Sequence, residues 1–92
     1  MRSIIQYDGT MCFLCRIAVA TDTHHIYGGP NRSRSEEDGE VVRLCRPCHN
    51  AVHAGKHSGE LQKKLHQLGQ VKWEMVYGTR EEFLKRYGRN YL

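Results

Sequence analysis

Residues 45–53 read Cys-Arg-Pro-Cys-His-Asn-Ala-Val-His, "CRPCHNAVH", and two kinds of metal ligand overlap in them. Cys45 and Cys48 form a C-x2-C pair, a spacing that lets two thiolates enter one tetrahedron from a tight turn. His49 and His53 form an H-x3-H pair. On a helix these two positions are about 400° apart, so they share one face one turn apart. Cys48 and His49 differ by about 100°. One helix can therefore present sulfur to one ion and imidazole to another. Pro47 fits such a helix only near its start, where a missing N–H costs nothing, and Gly55 ends it. The expected helix covers residues 45–55.

A second knuckle, Cys12-Phe-Leu-Cys15, lies upstream. Two C-x2-C pairs are a strong signal for a structural zinc on Cys12, Cys15, Cys45 and Cys48. The competing reading, two redox motifs, needs a βαβ pattern that the chain lacks. The gap from Arg16 to Leu44 is 29 residues, longer than the roughly 15–20 of a simple zinc ribbon. A hairpin with a long loop is expected to fill it. Residues 17–27, "IAVATDTHHIY", read as one or two short strands, and "VVRL" at 41–44 as another. Between them "GGPNRSRSEEDGE" (28–40) reads as a loop, with one helical turn at "SEED" before Gly39.

The pair His24-His25 sits in the first of these strands. Neighbouring side chains on a strand point to opposite faces, so only one of the two can join His49 and His53. Three protein ligands leave coordination positions open, the mark of a catalytic rather than a structural site. The other imidazole can serve as a general base near pH 7. His57 and His66 stand alone and read as solvated.

The chain has 92 residues, 39% hydrophobic and 26% charged, enough for one small domain of the kind that often needs a metal staple. Residues 1–11 are expected to form a short leader with a turn at Asp8-Gly9. No apolar run approaches the roughly 18–20 residues of a membrane span. "MRSIIQYDGTMC" lacks a secretory h-region, which sets the expectation of a cytoplasmic protein. In a reducing compartment cysteines serve as metal ligands more often than as disulfides. The net charge is +4; residues 1–55 balance, and residues 56–92 carry eight Lys/Arg against four Asp/Glu. A basic tail on a neutral head suits a polyanion such as nucleic acid. The tail reads as two helices. One runs from Ser58 to about Tyr77, interrupted in character by Gly69. The next follows the capping box Thr79-x-x-Glu82 and stops at Gly88. Their apolar residues are expected to pack on the head.

Taken together, "CFLC…HHI…LCRPCHNAVH" resembles the HNH endonucleases of the His-Me finger group over residues 12–54. The ending "TREEFLKRYGRNYL" is similar to the C-terminal segment of small phage-borne HNH proteins. The resemblance implies an α+β fold, a small zinc-stabilised, treble-clef-like ββα-metal core (12–55) with a basic helical C-terminal extension (56–92). It implies that His24, His49 and His53 hold a divalent ion (Mg2+, Mn2+, Ni2+ or Zn2+) and that His25 is the general base. It assigns Cys12, Cys15, Cys45 and Cys48 to a structural Zn2+. The implied activity is hydrolysis of DNA phosphodiester bonds, leaving a 5′-phosphate and a 3′-hydroxyl. Double-stranded DNA is the implied partner, with Arg32, Arg34 and Arg43 as candidate phosphate contacts. The asparagine that such proteins carry just before the second strand is absent from "DGEV" (38–41). Asn31 and Asn50 are the candidates to orient His25 in its place. The alternative is a non-catalytic zinc module that binds DNA or protein, or a subunit of a phage packaging or recombination complex. Both a nicking monomer and a homodimer cutting two strands are compatible with the sequence.

Overall fold

A computed structural model describes residues 2–92; Met1, the first residue of the expected leader, lies outside the described residues. Its elements are β1 (Asp22–His25), α1 (Arg32–Asp38), β2 (Val41–Leu44), α2 (Arg46–Ala54), α3 (Ser58–Val76) and α4 (Arg80–Tyr87), with a 3-10 turn over Gly29–Asn31. The fold is a small α+β domain with a two-stranded antiparallel sheet and four α-helices. Among the described residues no helix is long and apolar enough to cross a membrane.

The strand expected over 17–27 is divided. Asp22, Thr23, His24 and His25 pair with Leu44, Arg43, Val42 and Val41. Val19 pairs instead with Met11, supported by hydrogen bonds from Cys12 N to Ala18 O (2.9 Å) and Ala20 N to Thr10 O (2.8 Å). The first half thus closes the first cysteine knuckle, and the second half builds the hairpin. The leader is docked on this hairpin. Gln6 accepts from Arg43 N at 2.7 Å and donates to Met11 O at 2.9 Å, and Thr10 N donates to Asp8 Oδ1 across the expected turn.

Residues 28–40 are more ordered than a loop. The expected single turn is a seven-residue helix, α1, closed by Gly39 at φ 76°. Its anchor is Ser35, fully buried, whose hydroxyl donates to Glu40 O and accepts from Tyr27 N. A hydroxyl saturated on both sides lets this polar segment sit against the core without an unpaired group.

Beside it Asp38 gathers the tail. Its carboxylate accepts from Trp73 Nε1 (2.8 Å), the Tyr87 hydroxyl (2.7 Å) and Arg86 (Nε at 2.5 Å, Nη2 at 2.9 Å). Burial opposes its ionisation, but these donors, Arg86 foremost, hold the carboxyl below its usual value.

The tail helices pack on the head through part of their apolar residues, while Val76 and Leu84, expected to join them, stay exposed because they lie on the outer faces of α3 and α4. Leu65, Trp73, Phe83 and Tyr87 share one core with Ile26, Tyr27, Val42, Leu44 and Val52. Helix α3 runs unbroken through Gly69. A Cβ there would lie 2.8 Å from both Glu40 Oε2 and the Tyr27 hydroxyl, and 2.9 Å from Ile26 Cγ2. Glycine is required for close approach to the hairpin, and the roughly 1 kcal/mol cost in helix propensity is outweighed by that contact. At α4 both halves of the capping box form.

Candidate metal centres

Helix α2 begins at Cys45, its N-cap, with Pro47 in the first turn. Cys45 and Cys48 meet Cys12 and Cys15 there, and ligand atoms of the four lie within 4.8 Å of one another. Zn–S bonds of about 2.3 Å in a tetrahedron place sulfurs about 3.8 Å apart; Cys15 Sγ and Cys45 Sγ are 3.9 Å apart. All four cysteines are free of disulfides.

The surrounding backbone favours thiolates. Cys15 N–H points at Cys12 Sγ, 3.5 Å away. Burial raises the Cys12 thiol, but backbone N–H groups of Cys45, Cys15 and Leu14 outweigh it and bring the pKa down to about 6. Cys15 is lowered by the N–H groups of Ala18 and Ile17. Cys48 goes the other way, up to about 12, through burial and the adjacent sulfurs. Four thiolates cannot share this space without a cation, so the donor set fits zinc.

The second cluster lies on the other side of α2. His24, His49 and His53 offer ligand atoms within 4.8 Å of one another. Their ring centroids form a near-equilateral triangle with sides of 5.4, 5.3 and 4.9 Å. His49 Nε2 and His53 Nε2 stand 3.2 Å apart, close to the edge of about 3.3 Å that two nitrogens at 2.0–2.1 Å from a tetrahedral metal would span. Burial, then the neighbouring His49 and His53, push the His24 pKa down to about 4. It is a neutral imidazole at neutral pH, the form that ligates. His24 is buried and His53 exposed, so the triangle opens to solvent on the His53 side.

Asp22, two residues before His24, is a member that spacing did not reveal. Its Oδ2 lies 2.9 Å from His49 Nδ1, and Arg46 binds both carboxylate oxygens at 2.8 and 3.2 Å. Hydrogen bonds from Arg46 first and His49 second hold its pKa far below the usual carboxylate range. An ionised Asp22 fixes the proton of His49 on Nδ1 and turns the Nε2 lone pair towards the cluster. No protein-family model, curated protein or solved structure matches the chain. The reading of these clusters rests on their geometry and chemistry.

His25 faces away from His24, as alternation on a strand requires. Its side chain is 12% exposed, and its Nε2 is buried without a hydrogen-bond partner, 3.6 Å from Glu36 Oε2 on α1. Neither candidate asparagine is hydrogen-bonded to it. Asn31 donates to Tyr87 O at 3.0 Å and accepts from Arg34 at 3.1 Å, so it ties α1 to α4. Asn50 is exposed on α2. Glu36 on α1 is the carboxylate near His25, at a distance beyond a hydrogen bond.

His24, His25 and His53 line a cleft of about 140 Å³ with Ile26, Gly28, Gln62, Leu65 and His66. His66 is therefore not the solvated residue its isolation in sequence implied. It stacks on Tyr27 (5.4 Å between centroids, 22° between planes) and lies 4.7 Å from the ring of Tyr91. Burial lowers its pKa. His57 is exposed, as expected.

Of the three candidate arginines, Arg43 donates to Thr23 Oγ1 at 2.9 Å across the hairpin, on the same face as His25. Arg32 and Arg34 lie exposed on α1, and Arg34 also donates to Pro30 O. Glu40, where the asparagine would be sought, is fully buried with both carboxyl oxygens unpartnered. Burial, then the charge of Asp38, raises its pKa to about 8.

Proposed function

We propose that the protein is a metal-dependent endonuclease of the HNH type that hydrolyses phosphodiester bonds in DNA. The observation that carries this reading is the convergence of three imidazoles on one open-sided point, beside a fourth, His25, on the opposite face of the same strand. A structural site would be closed by a fourth ligand; this one leaves room for substrate oxygen and water. Cys12, Cys15, Cys45 and Cys48 hold a structural zinc that joins the first knuckle to α2. His24, His49 and His53 hold a divalent ion, which supplies Lewis-acid stabilisation of charge on phosphate oxygens when bound.

The chain's own residues do the rest. Asp22 keeps the His49 proton on Nδ1 and its lone pair on Nε2. With His25 Nε2 turned into the protein towards Glu36, the role of general base falls to Nδ1, which takes a proton from the attacking water. Glu36, 3.6 Å from His25 Nε2, lies beside the imidazolium that results. Basic side chains of the surface hold the DNA backbone and make binding salt-dependent.

Relaxation of supercoiled plasmid in Mg2+, Mn2+ or Ni2+ tests the proposal. The wild-type protein nicks in a metal-dependent way. His25→Ala lowers the rate by roughly 10²–10⁴-fold, the usual worth of a general base, with an unchanged melt and metal content. A variant that nicks at the wild-type rate refutes the role of His25. A wild-type protein inert with both metals bound refutes the nuclease.

A further inference from the structure

The basic charge of the tail is not spread evenly over its surface. Arg80 is paired with Glu74, Lys85 with Glu81, and Arg86 with Glu37 and Asp38. Lys56, Lys63, Lys64, Lys72 and Arg89 meet no carboxylate within 4.0 Å among the described residues. Two of these five, Lys63 on α3 and Arg89 just beyond α4, line one cleft of about 310 Å³ together with Gln62, His66, Asn90 and Tyr91. No side chain lining this cleft is acidic.

This cleft adjoins the histidine cleft, because Gln62 and His66 line both. It is also held in shape. Gln70, fully buried, accepts from Tyr91 N at 2.7 Å and donates to Asn90 Oδ1 at 2.8 Å. Gln67 donates to Tyr91 O at 3.1 Å. The Arg89 guanidinium sits 4.8 Å from the centre of the Tyr91 ring, so its cation is positioned at the mouth by stacking. Two cations without counter-ions and an imidazole edge line the cleft and match phosphate oxygens, while the amides of Gln62 and Asn90 donate to Val52 O (2.8 Å) and Leu92 O (2.9 Å).

We propose that this cleft is a flanking subsite for the DNA strand, in which Lys63 and Arg89 bind the phosphate adjacent to the one held at the histidine cluster. The inference rests on the nuclease reading for the identity of the strand, but it concerns binding and is tested without cleavage. Gln62 and His66 then form the ridge over which the strand passes from one cleft to the next. Residues 89–91, folded back on α3 by Gln67 and Gln70, are part of the DNA surface.

The test uses full-length protein carrying one zinc per chain and no other divalent ion, with a fluorescein-labelled 20-base-pair DNA duplex, followed by anisotropy from 50 to 200 mM salt. Lys63→Ala/Arg89→Ala weakens binding at least tenfold at the lower salt. It reduces the slope of log affinity against log salt by about 2, as expected for two lost phosphate contacts. Lys56→Ala/Lys72→Ala, which removes the same charge outside the cleft, weakens binding less than threefold. Lys63→Arg keeps the slope. Lys56, Lys63 and Arg89 are exposed and Lys72 is half-buried, and an unchanged melt checks the fold. Equal losses in the two double variants, no loss in either, or no binding by the wild type overturns the subsite. Loss in the cleft variant with a wild type that never nicks plasmid keeps the subsite and sinks the nuclease.

Discussion

The two ends of α2 make opposite use of metal ligands. At its first turn Cys45 and Cys48 complete a cluster of four cysteines, which as thiolates would carry a charge that only a cation can offset. Further along, His49 and His53 join His24 in a cluster of three imidazoles. At the cysteine end Cys12 and Cys45 are buried in the core, while Phe13 and Leu14 between the first pair are only partly buried. The histidine end rests on a continuous core of Ile26, Tyr27, Leu65, Phe83 and Tyr87, and on Asp38, which ties α1 to α3 and α4. On the proposed reading the cysteine end depends on a bound metal for its stability, and the histidine end does not.

The sharpest way to break this contrast is to remove one ligand from each end. Structural zinc contributes on the order of 10 kcal/mol in small domains, comparable with a whole stability of roughly 5–15 kcal/mol. Cys45→Ser is expected to lose cooperative thermal unfolding together with its zinc. His53→Ala is expected to melt cooperatively within a few degrees of the wild type, since His53 is exposed. Calorimetry with metal analysis reads both, and equal losses would erase the distinction.

A second effect belongs to the histidine end alone. Glu40 is buried without partners, with its pKa raised from 4.5 to about 8. A carboxyl raised in the folded state contributes fully below its unfolded pKa. That contribution is lost as pH rises through the folded pKa, here between 4.5 and 8. At pH 7 the loss is about 3 kcal/mol. Glu40→Gln removes this dependence. Its stability relative to wild type therefore climbs from pH 4.5 to pH 8, as chemical denaturation across that range will show. A constant difference would mean that Glu40 ionises freely in the fold.

The smallest effect concerns the ion and not the fold. Asp22→Asn leaves His49 in place but removes the carboxylate that fixes its proton. Outer partners of this kind are worth roughly 10–100-fold in metal affinity. Titration of Ni2+ or Mn2+ into zinc-loaded protein should show that loss, with the four-cysteine zinc retained. An unchanged affinity would leave Asp22 as a surface ion pair with Arg46.

The clusters were legible in the sequence because their geometry is local. C-x2-C fixes a knuckle, H-x3-H fixes a helix face, and alternation on a strand separates His24 from His25. Helix α1 is hidden because "RSRSEED" has no apolar residue to show a helical period. What orders it is Ser35 bonding to Tyr27 and Glu40 through space. The same folding brings Glu36 to His25, a partnership that no spacing announces. Asp22 escapes any spacing rule because its carboxylate acts across the hairpin on a residue 27 positions later. His66 reads as solvated until Gln67 and Gln70 draw Tyr91 back over it. Gly69, which looks like a flaw in α3, becomes necessary once the helix lies against Tyr27 and Glu40.

The central claim is that one short helix serves two metal centres of different coordination. Anomalous diffraction from crystals of the zinc-loaded protein soaked in Mn2+ or Ni2+ tests it most directly. The account predicts a zinc peak enclosed by Cys12, Cys15, Cys45 and Cys48, and a separate peak at the edge of the second metal, bound by His24, His49 and His53 with solvent completing its shell. A single peak at the sulfurs under saturating second metal, or a second ion bound away from the three histidines, would contradict it.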